Sequence, residues 1–376
     1  MKKKILIVTA SRADYGKLKN VILNLQKDKN FSTCVFVTGM HNLKLYGKTV
    51  GEIVSDDIKG VKTFNNQIFS KSKKKTDLIL AKTIKGFNSV LFNFKPNLVV
   101  IHGDRIESLA CSISCILNNF LIAHIEGGEV SGTVDEMMRH AVSKLSHIHF
   151  VTNQKAKKRL LQMGENKKNI FVVGSPDIDL ILSKKLPVLK KVKERYEINF
   201  RSYAIAILHP VTTDLKNLEK NAKIFFSSLK ESGRKYVIIY PNNDIGNNII
   251  LNKIYKLKKN KNFRIFPSIR FEYFLTLLKN ADFIIGNSSS GIMEAPYYGT
   301  PTINLGNRQH LRAEIKTINN LTFNKKKILA FIKKNFFLRK KIKIFGTGNS
   351  SSMILNILKK EKIYKTQIQK VFCDLH

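Results

Sequence analysis

Two short acidic stretches hold the residue types in this chain best suited to moving protons. They are His102-Gly103-Asp104-Arg105 and His124-Ile125-Glu126-Gly127-Gly128-Glu129. A third, Val134-Asp135-Glu136, follows shortly after. Carboxylates become general acids or bases once their surroundings tune them. Each of the first two stretches ends an apolar run, Leu98 to Ile101 and Leu121 to Ala123, and a helical stretch from Ile106 to Leu117 lies between them. This spacing reads as strand, helix, strand, with a carboxylate at the carboxyl end of each strand. In open parallel sheets the ligand crevice lies outside those ends. Asp104 and Asp135 also stand where helix caps stand, and capping is the plainer role for either one alone.

A second kind of chemistry is anion binding. Ser11-Arg12-Ala13-Asp14-Tyr15-Gly16-Lys17 links a first strand to a first helix, the turn that faces anions in such sheets. Arg12 and Lys17 would add cationic charge there. In the other half, Gly286-Asn287-Ser288-Ser289-Ser290-Gly291-Ile292-Met293-Glu294 runs from a buried strand through a small, hydroxyl-rich turn into a helix. Free backbone N–H groups at such a turn favour phosphate. Glu294, one turn in, is placed to accept from ribose hydroxyls. His209, before Pro210, ends another strand and is placed to donate to a phosphate or act as an acid. No GxGxxG fingerprint and no Walker A sequence occurs.

Positioning these groups takes an alternation of strands and helices. Ile5 to Ala10, Phe31 to Thr38, Leu98 to Gly103, Leu121 to Ile125, His147 to Thr152 and Phe171 to Gly174 read as strands of one sheet. A second series reads as Tyr203 to Leu208, Tyr236 to Tyr240, Phe263 to Pro267, Asp282 to Gly286 and Thr302 to Gly306. Helices are expected over Tyr15–Gln26, Leu215–Leu229, Phe271–Leu278 and Gly291–Tyr298. The seam falls near Pro176 to Lys193. The expected fold class is α/β, with two Rossmann-like doubly wound domains facing across a cleft. The expected bounds are 1–178, 179–358 and a C-terminal segment, 359–376, packing back on the first domain.

Composition narrows the function class. Lys and Arg number 66 against 27 Asp and Glu, a formal charge of +39 over 376 residues. The lysines are spread along the whole chain and no nucleic-acid recognition module is visible, so no nucleic-acid partner is expected. The same field would attract an anionic substrate. Cys34, Cys111, Cys115 and Cys373 have no His or Cys at metal-ligand spacing, so no metal is expected and the thiols fit a reducing cytosol. The N-terminal apolar run is too short for a signal peptide and no run reaches transmembrane length, so a cytoplasmic protein without membrane partners is expected.

Taken in order along the chain, these motifs resemble the sialic-acid branch of the hydrolysing UDP-N-acetylglucosamine 2-epimerases. The resemblance spans nearly the whole chain. It rests on Thr38-Gly39-Met40-His41, His102 to Arg105, His124 to Thr133, Arg139-His140, Lys144 to His147, His209-Pro210, Gly286 to Pro296 and Arg308 to Arg312. It implies the GT-B type of two-domain fold, no cofactor, and a UDP-linked sugar as substrate. It also implies catalytic roles for Asp104, Asp135 and either or both of Glu126 and Glu129, with His209 beside the diphosphate. Arg12, Lys17, Arg105, Arg139, Ser289, Ser290, Gly291, Glu294 and Arg308 are implied as substrate contacts.

The implied reaction converts UDP-N-acetylglucosamine and water to N-acetylmannosamine and UDP, for sialic-acid-type sugars. The hydrogen at C2 is not acidic, so anomeric C–O cleavage comes first and a carboxylate then takes the C2 proton. Water adds at C1 while a proton returns to C2 on the other face, which asks for two acid–base groups. A sister group acts on UDP- or GDP-linked N,N'-diacetylbacillosamine, on the way to legionaminic acid, and the motifs do not separate the two. A glycosyltransferase of the same fold and a non-hydrolysing epimerase are the enzymatic rivals. A homo-oligomer is left open.

Overall fold

The computed structural model describes residues 1–68, 76–183, 185–333 and 338–374. The chain divides into two units. The first comprises Met1–Glu129, Asp135–Ser183 and the segment from Ile344 onward; the second comprises Val130–Val134 and Lys184–Lys343.

The first unit is built on a seven-stranded parallel sheet. Its strands are β1 (Lys3–Thr9), β2 (Phe31–Val37), β3 (Val61–Thr63), β4 (Leu98–His102), β5 (Ile122–Ile125), β6 (Ile148–Val151) and β7 (Ile170–Val172). They lie in the order β3-β2-β1-β4-β5-β6-β7, so the direction of winding reverses between β1 and β4. Ile5 pairs with Leu98 and His102 with Ile125, which aligns the carboxyl ends of β4 and β5. The strands are continuous apolar runs because both faces are covered. Ile5, Ile7, Val35, Val37, Leu98, Val100, Ala123 and Ile125 join one core. Their neighbours Leu6, Val8, Cys34, Phe36, Val99, Ile101 and Ile122 join the other, as the two-residue period of a strand requires.

The helix Ser350–Leu358 belongs to this first unit, and the return to it begins at Ile344, ahead of the 359 expected from sequence. Ile354 and Leu358 pack in the same core as Leu18, Val21 and Leu25 of the helix Arg12–Lys27. The carboxylate of Asp179 accepts from the backbone N–H groups of Ser350 and Ser351 at 2.8 and 2.7 Å, which satisfies the helix start.

The second unit repeats the plan with six parallel strands: β8 (Ala204–Ile207), β9 (Tyr236–Ile239), β10 (Phe263–Phe266), β11 (Ile284–Gly286), β12 (Thr302–Leu305) and β13 (Ile318–Leu321). Their order is β10-β9-β8-β11-β12-β13, with the reversal between β8 and β11.

Several elements escape the sequence reading. β3 and β13 are short and partly exposed, without an apolar run. The helices Thr76–Phe94, Gln154–Gln162 and Lys325–Lys333 are also additions. The helix expected over Gly291–Tyr298 divides at Glu294 into Ser290–Met293 and Ala295–Tyr298. Pro296, which lacks an N–H, sits at the start of the second piece. No helix among the described residues is long and apolar enough to cross a membrane.

Candidate active site

The carboxyl ends of β1, β4, β5 and β7 bring together the ionisable side chains of the first unit. Asp14 lies in the first turn after β1, and its carboxylate folds back to accept from Ala10 N–H at 2.7 Å and from the Thr9 hydroxyl at 3.0 Å. His102 closes β4. Its Nδ1 lies 3.1 Å from Asp14 and its Nε2 lies 3.3 Å from Glu126. Burial disfavours the charged ring, but Glu126 and Asp14 overcome it and push His102 up to about 9. At neutral pH His102 is therefore an imidazolium.

Glu126 follows β5 directly. Lys17, on the first helix, donates to its two carboxylate oxygens at 2.9 and 3.1 Å. Burial opposes ionisation of Glu126, yet Lys17 and His102 hold its carboxyl well below the usual range. Its backbone adopts a left-handed conformation, φ 65°, which costs a non-glycine residue on the order of 1–3 kcal/mol. The position is stabilised by its N–H, which donates to Phe150 on β6 at 2.9 Å. The Ser175 hydroxyl beyond β7 contacts both Glu126 and Asp177, and Lys17 also lies 3.4 Å from Asp177.

Asp104 lies just past β4 and does not cap the next helix, whose N-cap is Arg105 without a side-chain bond. Instead Arg139 donates to the Asp104 carboxylate, and its other terminal nitrogen donates to the Glu129 carbonyl at 3.1 Å. Arg139 is 2% exposed, a buried cation that pairs with Asp104 and also feels the carboxylates of Glu129 and Asp135. Asp135 is half-buried in the first turn of the helix Val134–Leu145. Glu129 is buried and accepts from the Thr152 hydroxyl. The environments of Glu126 and Glu129 thus differ: Glu126 joins the charged cluster, while Glu129 accepts a neutral hydroxyl.

Four cations expected as substrate contacts have protein partners here. Lys17 is turned inward, because the buried carboxylates of Glu126 and Asp177 hold it. Arg12 pairs with Glu52, and Arg105 with Glu107 at 3.2 Å. Arg139 serves Asp104.

In the second unit, His209 follows β8. Its backbone N–H donates to Asn287 Oδ1 at 2.7 Å, and Asn287 Nδ2 donates back to the His209 carbonyl at 2.9 Å. The Asn287 side chain thereby ties the end of β8 to the end of β11. Asn242, beyond β9, donates its backbone N–H to His209 Nδ1 at 3.0 Å. In the neutral ring the hydrogen is therefore on Nε2, which makes that atom a donor. Arg308, beyond β12, donates to the Asn287 carbonyl at 3.2 Å, and Gln309 does so at 3.3 Å. Ser289 and Ser290 are half-buried at the start of the four-residue helix Ser290–Met293, while Gly291 and Glu294 are buried. So short a helix carries little dipole, and any anion held here would rely on individual N–H and hydroxyl donors.

Gly286 shows why this turn is built of small residues. Its φ is 134°, and a Cβ there would lie 1.8 Å from the carbonyl oxygen of Ile207. Sequence reasoning missed Asp14, His102, Ser175, Asp177, Asn242 and Asn287 as site residues. The sequence signal common to all six is their place just after, or at the end of, a strand. No group of three or more His, Cys, Asp or Glu side chains among the described residues could hold a metal ion.

Two parallel-sheet α/β domains, with ionisable groups at the carboxyl ends of their strands, place the chain in the GT-B-like fold class. The chain belongs to the UDP-N-acetylglucosamine 2-epimerase family, whose pattern it matches over residues 23–359. It is 41% identical to the UDP-N-acetylglucosamine 2-epimerase of Neisseria meningitidis serogroup B over 100% of both chains. It is 33% identical to the hydrolysing UDP-N,N'-diacetylbacillosamine 2-epimerase of Legionella pneumophila, over 98% of this chain and 99% of the relative. The Methanocaldococcus jannaschii UDP-GlcNAc 2-epimerase, solved with UDP-GlcNAc and UDP, superposes with a TM-score of 0.80 at 25% identity, over 95% of this chain and 99% of that one.

Proposed function

We propose that this protein hydrolyses UDP-N-acetylglucosamine to UDP and N-acetylmannosamine, inverting C2. One observation carries the reading: Asp104 and Glu126, at the ends of adjacent strands, are each paired with a buried cation, Arg139 and Lys17. A cation beside a carboxylate keeps it ionised and ready to accept a proton. The 41% identity to the Neisseria enzyme over the whole chain supports the substrate.

In this reading the anomeric C–O bond breaks first and UDP leaves. His209, through Nε2–H, and the donors of the Ser288–Ser290 turn receive the departing diphosphate. A carboxylate among Asp104, Glu126 and Asp135 removes the C2 proton from the electron-poor sugar. Water then adds at C1 as a second acid returns a proton to the opposite face of C2. Two groups are needed because one carboxylate cannot reach both faces. Arg12, Arg105, Glu294 and Arg308 complete the substrate contacts. The reaction calls for no cofactor, and buried free thiols at Cys34, Cys111 and Cys115 suit a reducing cytosol.

Incubation with UDP-N-acetylglucosamine alone, followed by NMR, tests this. Free N-acetylmannosamine and UDP are expected. A UDP-linked epimer would instead mean a non-hydrolysing enzyme, and no reaction without an acceptor would mean a glycosyltransferase. The 33% identity to the Legionella enzyme favours one second reading, a diacetylbacillosamine substrate. Running UDP- and GDP-linked diacetylbacillosamine in parallel distinguishes it by relative kcat/KM.

A further inference from the structure

Behind Glu126 lies a buried set of groups whose hydrogen-bond count does not close with every carboxyl ionised. Ser175 places one hydroxyl within hydrogen-bonding distance of both Glu126 Oε1 and Asp177 Oδ1. A hydroxyl has a single proton to donate. If both carboxyls were ionised, one contact would set two bare oxygens against each other. All three residues are buried, and Ser175 and Asp177 are 0% exposed.

The charges lead to the same count. Asp14, Glu126 and Asp177 supply three carboxylates, while Lys17 and protonated His102 supply two cations. An uncompensated charge is costly in so buried a place. One additional proton makes the cluster neutral and completes the Ser175 hydrogen bonds together.

We propose that Glu126, Ser175 and Asp177 hold one proton among them, and that the Ser175 hydroxyl relays it, so that Glu126 can gain or give up a proton at its own face of the sugar while the charge of the buried set stays constant. With the proton on Asp177, the Asp177 O–H donates to Ser175 Oγ and Ser175 O–H donates to ionised Glu126. In the transfer, the Asp177 O–H bond breaks as Ser175 Oγ gains that proton. The original Ser175 O–H bond breaks as Glu126 gains its proton. Total charge is unchanged and no electron is transferred to another group. Lys17 makes the exchange feasible. Its ammonium lies 2.9 Å from Glu126 and 3.4 Å from Asp177, so it faces whichever carboxyl is charged. Ser175 and Asp177 act through Glu126 and are positioning residues. The role of the proton in turnover rests on the epimerase reading above; its presence does not.

Infrared difference spectroscopy at neutral pH, on the full-length protein without substrate, tests the resting proton. A protonated-carboxyl C=O band is expected in wild type, lost in Asp177→Asn and shifted in Ser175→Ala. Absence of that band from both differences overturns the proposal, and either variant suffices if the other fails to fold. Turnover of UDP-N-acetylglucosamine tests the relay. Each variant should lower kcat by roughly tenfold or more, with KM within about twofold. The double variant should be no slower than the slower single one, and Ser175→Thr, which keeps the hydroxyl, should recover most of the loss. Losses that multiply in the double variant would show two independent structural effects and overturn the relay. If wild type releases no UDP, the epimerase reading has failed, and the infrared band still decides the proton.

Discussion

Asn242 donates its backbone N–H to Nδ1 of His209 at 3.0 Å, so the neutral ring of His209 offers an N–H at Nε2. A main-chain donor sets this tautomer, and no substitution of the Asn242 side chain removes it. His209→Ala should weaken UDP binding about tenfold, equivalent to about 1.4 kcal/mol, measured by calorimetry. Unchanged affinity would place the diphosphate elsewhere.

The acids should behave differently from His209. Asp104→Asn, Glu126→Gln and Asp135→Asn should each lower kcat roughly a hundredfold or more. UDP affinity should hold, because in the proposed mechanism these groups act on the sugar. Glu129→Gln should cost less, since Glu129 accepts the Thr152 hydroxyl and stands outside the Lys17–His102 cluster around Glu126. Near-normal turnover in the first three variants would remove the proton chemistry from these strand ends.

Stability should depend on pH through the buried histidines. Despite burial, Glu126 and Asp14 push His102 from 6.5 up to about 9. Its stabilisation is fully present below about pH 6.5 and is lost as pH rises through about 9, a change on the order of 3 kcal/mol. His124 and His41 work in the opposite direction, since burial lowers them to about 3 and about 4. They oppose protonation, so their contribution is lost as pH falls below about 6.5. Thermal melting against pH should show both flanks, and His102→Gln should flatten the alkaline one. An alkaline flank unchanged in that variant would contradict the assignment.

Isotopes follow the proposed path. In oxygen-18 water the released sugar should carry label at C1 and the UDP none, because the bond broken is C–O. In deuterium oxide the sugar should carry deuterium at C2, since the returning proton comes from an exchangeable acid. Mass spectrometry and NMR read both. Label in the UDP phosphate, or hydrogen retained at C2, would exclude elimination followed by hydration.

Gly286→Ala should lower the melting temperature and abolish UDP binding together. An added Cβ meets the Ile207 carbonyl at 1.8 Å, so β8 and β11 must separate at their ends, where His209 and Asn287 sit. Loss of stability with normal UDP affinity would uncouple the turn from the nucleotide.

Much of the fold was legible in the sequence because buried parallel strands are uninterrupted apolar runs. Leu98 to Ile101 and Leu121 to Ile125 announced β4 and β5, and the acids beyond them were visible by position alone. β3 and β13 were not visible: short strands at a sheet edge need little apolar character. A return of the chain's end to the first unit came from the resemblance alone; the residues did not place Ser350–Leu358 there, because an apolar helix face does not name its partner.

By itself, the sequence determined which residues follow which strands, because chain order and apolar periodicity are local properties. The partners of those residues were decided by tertiary structure alone. Lys17 meets Glu126 across 109 positions, and Arg139 meets Asp104 across 35. Whether a lysine binds substrate or neutralises a buried acid depends on distances that only the folded sheet sets. For the same reason Glu126 and Glu129 were equivalent in sequence. They became distinct when β1, β4, β5 and β7 brought Lys17, His102, Ser175 and Asp177 around Glu126.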